Sequence, residues 1–312
     1  MNEVIKRVLV TGGAGFIGSH LVDALLESGY DVGVIDNLST GKRANLAHVK
    51  DRITFCEGDI RDLDTMKEMA QGCGAIFHQA AVVSVPQTVE DPVGSSAVND
   101  MGTLMVLEAA RLQGIKRVVL ASSCAVYGDD PEIPKHEKMV LKPQSPYAVQ
   151  KLTKELHARL YNDLYGVETV CLRYFNVFGP RQDPSSPYSG VISIFMTRAA
   201  ENIPPIIHGD GLQYRDFVFV KDVVRANLLA ATVDHAGGEV VNIGTGRFVR
   251  VSQLWEAISG LAGVDLPPVY EKRRAGDIIE SVADIQKAGS LLGFEPVYEF
   301  EEGLKKTFEW YH

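Results

Sequence analysis

The stretch Val8-Leu9-Val10-Thr11-Gly12-Gly13-Ala14-Gly15-Phe16-Ile17-Gly18 decides the fold. Its three leading valine and leucine residues make an apolar run short enough to be a fully buried parallel strand, and apolar Ile17, Leu21, Ala24 and Leu25 follow on one helical face. Between strand and helix lies a turn built from glycine. Gly13-x-Gly15-x-x-Gly18 fits a dinucleotide fingerprint, as does Gly12-x-x-Gly15-x-x-Gly18, in which glycines let the backbone turn tightly and approach a pyrophosphate. The helix offers its free amides and positive dipole end to that anion. By itself such a glycine string is also what an ordinary tight turn looks like.

Context separates the two. A second apolar run, Val32 to Ile35, ends in Asp36, at the distance where an acidic residue accepts hydrogen bonds from a ribose diol. An Asp there repels a 2′-phosphate and favours NAD over NADP, with Lys42 and Arg43 as the nearby charges that could offset it. Downstream, strand-like runs at Ile53–Cys56, Ala75–His78, Arg117–Ala121, Thr169–Leu172 and Val240–Ile243 alternate with helical patterns. The helical patterns begin near Asp62 and span about Ser95 to Leu112 and Ser145 to Leu164. This alternation specifies a doubly wound α/β fold, a parallel Rossmann-type sheet covered by helices on both faces. Past Arg173 the rhythm breaks on Gly179-Pro180, Pro184, Pro187, Pro204-Pro205 and Gly209-Asp210-Gly211, which predicts shorter elements and a smaller C-terminal substrate-binding lobe. The expected division is 1–172 plus about 217–244 for the NAD-binding domain, and 173–216 plus 245–312 for the other lobe.

The chain has 312 residues, 46% of them hydrophobic, enough for one large core and a satellite. A net charge of −9 argues against a nucleic-acid binder. There is no apolar span of membrane length and no charged-then-apolar leader, so a cytoplasmic protein is expected, without a membrane partner. Cys56, Cys73, Cys124 and Cys171 lack metal-ligand spacing, which predicts buried free thiols and no metal site.

Tyr147 and Lys151 lie four apart near the start of a helical pattern, on one face. A phenol titrates near ~10 alone, and an adjacent ammonium lowers it, so the pair can supply a base near neutral pH; alone, the spacing is equally that of a solvated helix face. Ser123 ends the fifth strand, where it could meet a ligand hydroxyl or simply satisfy the backbone.

With these residues in view the whole chain resembles the extended short-chain dehydrogenases/reductases, and within them the UDP-hexose 4-epimerases. The matching stretches are Thr11 to Gly18, Gly58-Asp59-Ile60, His78-Gln79-Ala80-Ala81, Asn99, Ser122 to Gly128, Ser145-Pro146-Tyr147 with Lys151, Arg173 to Arg181, Gly209 to Phe217, and Arg274-Ala275-Gly276-Asp277. The resemblance implies Tyr147 as base, Lys151 as its tuner and nicotinamide-ribose ligand, and Ser123 as partner of the sugar 4-hydroxyl. It implies NAD contacts from Gly12, Gly15, Phe16, Ile17, Gly18, Asp36, Asn37, Gln79, Ala80 and Ala81. Asp59 and Ile60 would flank the adenine, and Asn99 and Tyr174 the ribose and nicotinamide. Asn176, Arg215 and Arg274 would hold the nucleotide diphosphate, with Asp277 near the uridine ribose. The implied reaction is reversible NAD-dependent 4-epimerisation of a UDP-hexose through a 4-keto sugar.

Relatives that dehydrate or decarboxylate carry acidic residues just after the serine; here those places hold Cys124 and Ala125. Aligning the segment after Arg-x-Gly-Asp puts small Ser281 at the position that limits pocket width, and Ser84 resembles a sugar-contact serine of the N-acetylhexosamine-active subgroup. Conversion of UDP-N-acetylglucosamine as well as UDP-glucose is therefore expected. A UDP-glucuronate 4-epimerase and a non-catalytic NAD-binding regulator are the alternatives. The resemblance further implies a homodimer paired through the helices near 95–112 and 145–164.

Overall fold

The computed structural model describes residues 6–183, 190–272 and 280–311. Its centre is a seven-stranded parallel sheet of β1 (Arg7–Thr11), β2 (Asp31–Asp36), β3 (Ile53–Glu57), β4 (Ala75–His78), β5 (Arg117–Ser123), β6 (Glu168–Tyr174) and a late strand, Glu239–Ile243, in which the chain returns to pair with β6. The spatial order is late strand, β6, β5, β4, β1, β2, β3. The chain therefore winds outward from β1 to β3, then crosses back and continues on the other side of β1. That reversal opens a crevice between the loops after β1 and β4, where doubly wound sheets bind ligands.

The strands are apolar throughout because both faces are covered. On one face α1 (Phe16–Glu27) buries Leu21, Val22 and Leu25 together with Val223, Ala226 and Ala230 of the helix Val220–Thr232. On the other, α2 (Leu63–Ala70) and the helix Gly102–Leu112 bury Met66, Val106 and Leu107 against Leu9, Ile76 and Leu120. The helix expected from Ser95 to Leu112 differs in one respect. After two short helices, α3 (Val85–Glu90) and α4 (Pro92–Ser96), a π-turn at Ala97–Met101 precedes α5 (Gly102–Leu112). One extra residue per turn re-aims the side chains at that point.

Helix α6 (Pro146–Tyr165) is bounded by local chemistry. Ser145 Oγ accepts the Ala148 amide at 3.2 Å, Pro146 stands at the first helical position, and Gly166 closes the end in a left-handed conformation, φ 68°. Beyond β7 (Asn176–Phe178) the expectation of short elements is corrected: α7 (Val191–Ala200), α8 (Val220–Thr232) and α9 (Val251–Ala262) run to 10, 13 and 12 residues. Their apolar periodicity is helical, and the prolines fall between them. Phe178, Phe195, Phe217, Phe219, Trp255 and Leu304 form a separate, largely aromatic core, which α10 (Phe300–Tyr311) helps to close. Short strands edge this lobe: β8 (Ile206–His208), β9 (Tyr214–Arg215), β10 (Phe217–Phe219), β12 (Val249–Arg250), β13 (Val269–Glu271) and β14 (Glu280–Ser281), while the late strand of the main sheet is β11 (Glu239–Ile243). The four thiols are free; Cys73 and Cys171 are buried, whereas Cys56 and Cys124 are half-buried. No helix among the described residues is long and apolar enough to cross a membrane.

Candidate active site

The glycine turn is tight for a reason that can be measured. A Cβ on Gly18 would stand 2.1 Å from the Gly12 carbonyl oxygen, and one on Gly12, at φ +70°, would stand 2.7 Å from the Ala80 amide nitrogen. The loops after β1 and β4 thus touch, and the Ala80 amide also donates to Thr11 Oγ1 at 3.3 Å. Helix α1 starts at Phe16 and Ile17 with no side-chain cap and no acidic residue in its first turn. A backbone cradle left open at a positive helix end suits a pyrophosphate.

Asp36 closes the other end of this groove. It is 7% exposed; Oδ2 accepts the Ala14 amide at 2.9 Å and Oδ1 the Leu38 amide at 2.8 Å. Burial raises its carboxyl above the usual range, opposed by those two hydrogen bonds. Lys42 and Arg43 are turned elsewhere: Lys42 Nζ lies 2.7 Å from Asp183, and Arg43 pairs with Glu57 at 2.6 Å over the Phe55 ring. Asn37 hydrogen-bonds Asp59, whose carboxyl is held below its usual range chiefly by Arg61. Ile60 is buried against Gly102. These residues fit a dinucleotide whose ribose lacks a 2′-phosphate.

At the end of β5, Ser123 hydrogen-bonds the Tyr147 phenol. One turn further along α6, Lys151 is 2% exposed, donates to the Ala121 carbonyl at 3.0 Å and holds its Nζ 5.4 Å from the Tyr147 ring centre. The serine, tyrosine and lysine that sequence singled out are therefore together. In the pair itself, burial opposes the lowering of the phenol expected from its ammonium neighbour. Burial pushes Tyr147 up to about 12, outweighing the Ser123 hydrogen bond, and pushes the Lys151 ammonium down to about 8. Tyr147 is half-buried. The pair lacks one further positive charge, and an oxidised nicotinamide beside it would supply that charge.

Other expected cofactor contacts serve as walls. Asn99, on the π-turn, accepts the Val82 amide at 2.8 Å and donates to the Val82 carbonyl at 2.9 Å and to Gln150 at 2.6 Å. Its side chain thereby fixes the loop through Ala81 and Ser84, and Ser84 caps α3 by accepting the Gln87 amide at 3.1 Å. Tyr174 is 6% exposed, and its hydroxyl meets Gln79 and Asn227.

On the far side, Cys124 hydrogen-bonds Ser281, with Arg215 and Asp216 in electrostatic reach, and burial pushes its thiol up to about 11, so it stays protonated. Ser281 on β14 sits opposite Arg215 on β9. Asn176 donates from both backbone and side chain to the Asp216 carbonyl, at 3.0 and 3.1 Å. Asn176 and Arg215 line a cavity of about 730 Å³ with Val85, Phe178, Ile207 and His208. Ser123, Tyr147 and Lys151 are not among the residues that line it. Arg274 and Asp277 lie outside the described residues.

Sequence reasoning missed Asp216, a fully buried carboxylate that accepts from Thr245, Gly246 and Ala283 and so fixes Arg215 and Ser281 from behind. It missed Lys154 too, 1% exposed with no hydrogen-bond partner for its Nζ among the described residues. Only the periodicity of α6, which places Lys154 inward, could have pointed to it. Among the described residues no group of His, Cys, Asp and Glu is placed to hold a metal.

A glycine turn under a helix, an acidic residue at the end of β2 and a serine–tyrosine–lysine group at the end of β5 define a dehydrogenase/reductase-type centre. Residues 8–244 match the model of the NAD dependent epimerase/dehydratase family. A putative UDP-glucose 4-epimerase of Methanocaldococcus jannaschii is 43% identical, over 97% of each chain. Among solved structures, a UDP-glucose 4-epimerase of Thermotoga maritima with UDP-glucose superposes with a TM-score of 0.93 at 41% identity, covering 98% of each chain. A UDP-N-acetylglucosamine 4-epimerase of Methanobrevibacter ruminantium M1, in complex with UDP-N-acetylmuramic acid, gives 0.94 at 40% identity over 99% of each. The chain belongs to the NAD dependent epimerase/dehydratase family, and NAD is its cofactor.

Proposed function

We propose that this protein is an isomerase that interconverts the C4 epimers of a UDP-hexose, and that it accepts N-acetylhexosamines as well as plain hexoses. The observation that carries the reading is the meeting of Ser123, Tyr147 and Lys151 at the end of β5, followed by Cys124 and Ala125, which hold no carboxylate for a further proton transfer. NAD, held by the glycine turn and Asp36, would supply the uptake and return of hydride at the sugar. Tyr147 removes the proton of the 4-hydroxyl and gives it back, Ser123 orients that hydroxyl, and Lys151 holds positive charge beneath both. The 4-keto sugar turns over between the two half-reactions.

Residues 1–172 with 217–244 carry the cofactor in this reading, and 173–216 with 245–312 the nucleotide sugar, Asn176, Arg215 and Arg274 taking the diphosphate and Asp277 lying near the uridine ribose. The breadth of substrate rests on small Ser281 and on Ser84, and it accords with similarity to relatives of both kinds. We further propose a cytoplasmic homodimer. Leu156, Leu160 and Leu164 stand 58%, 50% and 66% exposed along α6, with Met101 and Leu112 also bare on the neighbouring segment. Such a stripe suits a helix pair from a second copy.

The test is to incubate the purified protein separately with UDP-glucose, UDP-N-acetylglucosamine and UDP-glucuronate and identify products by NMR. Formation of the 4-epimer from the first two is expected. Conversion of the uronate alone would transfer the assignment to a UDP-glucuronate 4-epimerase, and no conversion at all would leave an NAD-binding regulator.

A further inference from the structure

Behind the catalytic group runs a line of buried side chains that the reaction does not use. Alternation along β5 turns Ser122 to the face opposite Ser123, where its hydroxyl donates to Glu155 Oε1 at 2.6 Å. Glu155 lies on α6, one turn past Lys151. Its carboxylate receives Arg173 Nε at 2.8 Å and Nη2 at 2.7 Å, a two-pronged pair in which both side chains are 4% exposed. Arg173 Nη1 donates onward to the Tyr127 hydroxyl at 2.8 Å, and that hydroxyl donates to Asn242 Oδ1 at 2.7 Å. The Asn242 amide ends the line by donating to the Lys135 carbonyl at 2.8 Å and the Asp284 carbonyl at 3.3 Å. Lys135 and Asp284 belong to paired backbone: Lys135 donates to Val282 and receives from Asp284, both at 2.8 Å, directly after Ser281.

Five side chains, each no more than 5% exposed, therefore connect the strand that ends in Ser123 to the segment that presents Ser281. They lie on β5, the turn that follows it, α6, β6 and β11, and Asn242 reaches the smaller lobe at Asp284. Each member uses its neighbour as its principal partner, so the removal of one leaves a buried donor or acceptor unpaired, a larger loss than that of an exposed hydrogen bond. In the function proposed above, the sugar sits between these two ends.

We propose that Ser122, Glu155, Arg173, Tyr127 and Asn242 are positioning residues that set the separation between the Ser123–Tyr147 group and the Ser281 wall, and thereby the attack geometry at the sugar. The proposal rests on the reading of the protein as a UDP-sugar epimerase. The line touches neither the glycine turn nor the nucleotide cavity, so the cofactor and the nucleotide handle should bind normally when it is broken. Turnover alone should suffer.

The experiment uses the full chain loaded with NAD and a UDP-sugar that the unsubstituted protein converts. Tyr127→Phe removes one oxygen and breaks the line at its centre; Ser122→Ala breaks it at the catalytic end and serves if the first variant does not fold. The expected result is a kcat lower by about tenfold, since each variant orphans a buried polar group, with NAD content unchanged and KM for the UDP-sugar within about twofold of the parent, well under the tenfold scale of that loss. A kcat within about twofold of the parent, where the same scale calls for tenfold, would overturn the proposal even if the melting temperature fell. Loss of NAD together with kcat would overturn it as well. Failure of the unsubstituted protein to convert any UDP-sugar would strike the underlying reading, and it is seen before any variant is compared.

Discussion

Tyr147 and Lys151 oppose each other in what burial does to them. The phenol is driven to hold its proton, with a value near 12, while the lysine is driven to lose one, near 8. Turnover should accordingly fall as pH rises through about 8, where Lys151 gives up the ammonium on which the phenolate depends. The sign follows from a depressed basic group: charged below its value, neutral above. A profile of kcat/KM against pH that stays level to ~10, the ordinary titration range of such groups, would show that Lys151 is not the titrating group. Tyr147→Phe should lower kcat by about two to four orders of magnitude, the usual contribution of general acid–base catalysis. NAD and UDP-sugar binding, read by calorimetry, should survive because the substitution removes a single oxygen. A regulator that works by binding alone would be unaffected by it.

Among the elements, the β1–α1 turn tolerates the least change. Gly18→Ala would bring a methyl within 2.1 Å of the Gly12 carbonyl, a clash between backbone and Cβ that no flexible side chain can relieve. Overpacking of that kind costs about 3 kcal/mol, or a roughly hundredfold weaker NAD affinity, measurable by fluorescence titration. Undiminished affinity would mean that the loop can open without loss. This element was legible in the sequence because glycine spacing reports backbone geometry directly, and the flanking strands were legible because both their faces are buried. The π-turn was not. It depends on one extra residue accommodated between Ala97 and Met101, and it leaves the apolar pattern of the following helix intact. Asn99 was picked out by resemblance, and its pair of hydrogen bonds with Val82 adds a part in shaping the loop that bears Ser84. The pairing of Glu155 with Arg173 was equally invisible, since a contact between a helix and a strand 18 residues apart leaves no periodic trace.

At the scale of the whole molecule, the sheet order explains why one crevice gathers residues from so many stretches of chain. The reversal beside β1 places the ends of β1, β4 and β5 side by side, and α6 lays Tyr147 and Lys151 along them. Leu156, Leu160 and Leu164 follow from the same helix, on the face turned away from that crevice. Leu160→Glu should convert a dimer to a single chain of 34.1 kDa in sedimentation, with the fold retained by circular dichroism. A parent protein that already sediments as one chain would remove the dimer from the proposal. Alternation of strand and helix made the sheet readable in advance. The long helices after β7 were harder to see, because proline and glycine between them drew attention to the breaks rather than to the apolar faces of α7, α8 and α9.

The tethering of Asp36 bears on which redox pool the protein can draw upon. Two backbone amides clamp its carboxylate in the interior, and the cations that might have neutralised an added phosphate are committed to Asp183 and Glu57. Discrimination against the phosphorylated dinucleotide is thus built into rigid framework instead of a pliable recognition arm. Because interior charges feel dissolved electrolyte far less than exterior ones do, that preference should hold from dilute buffer to concentrated brine.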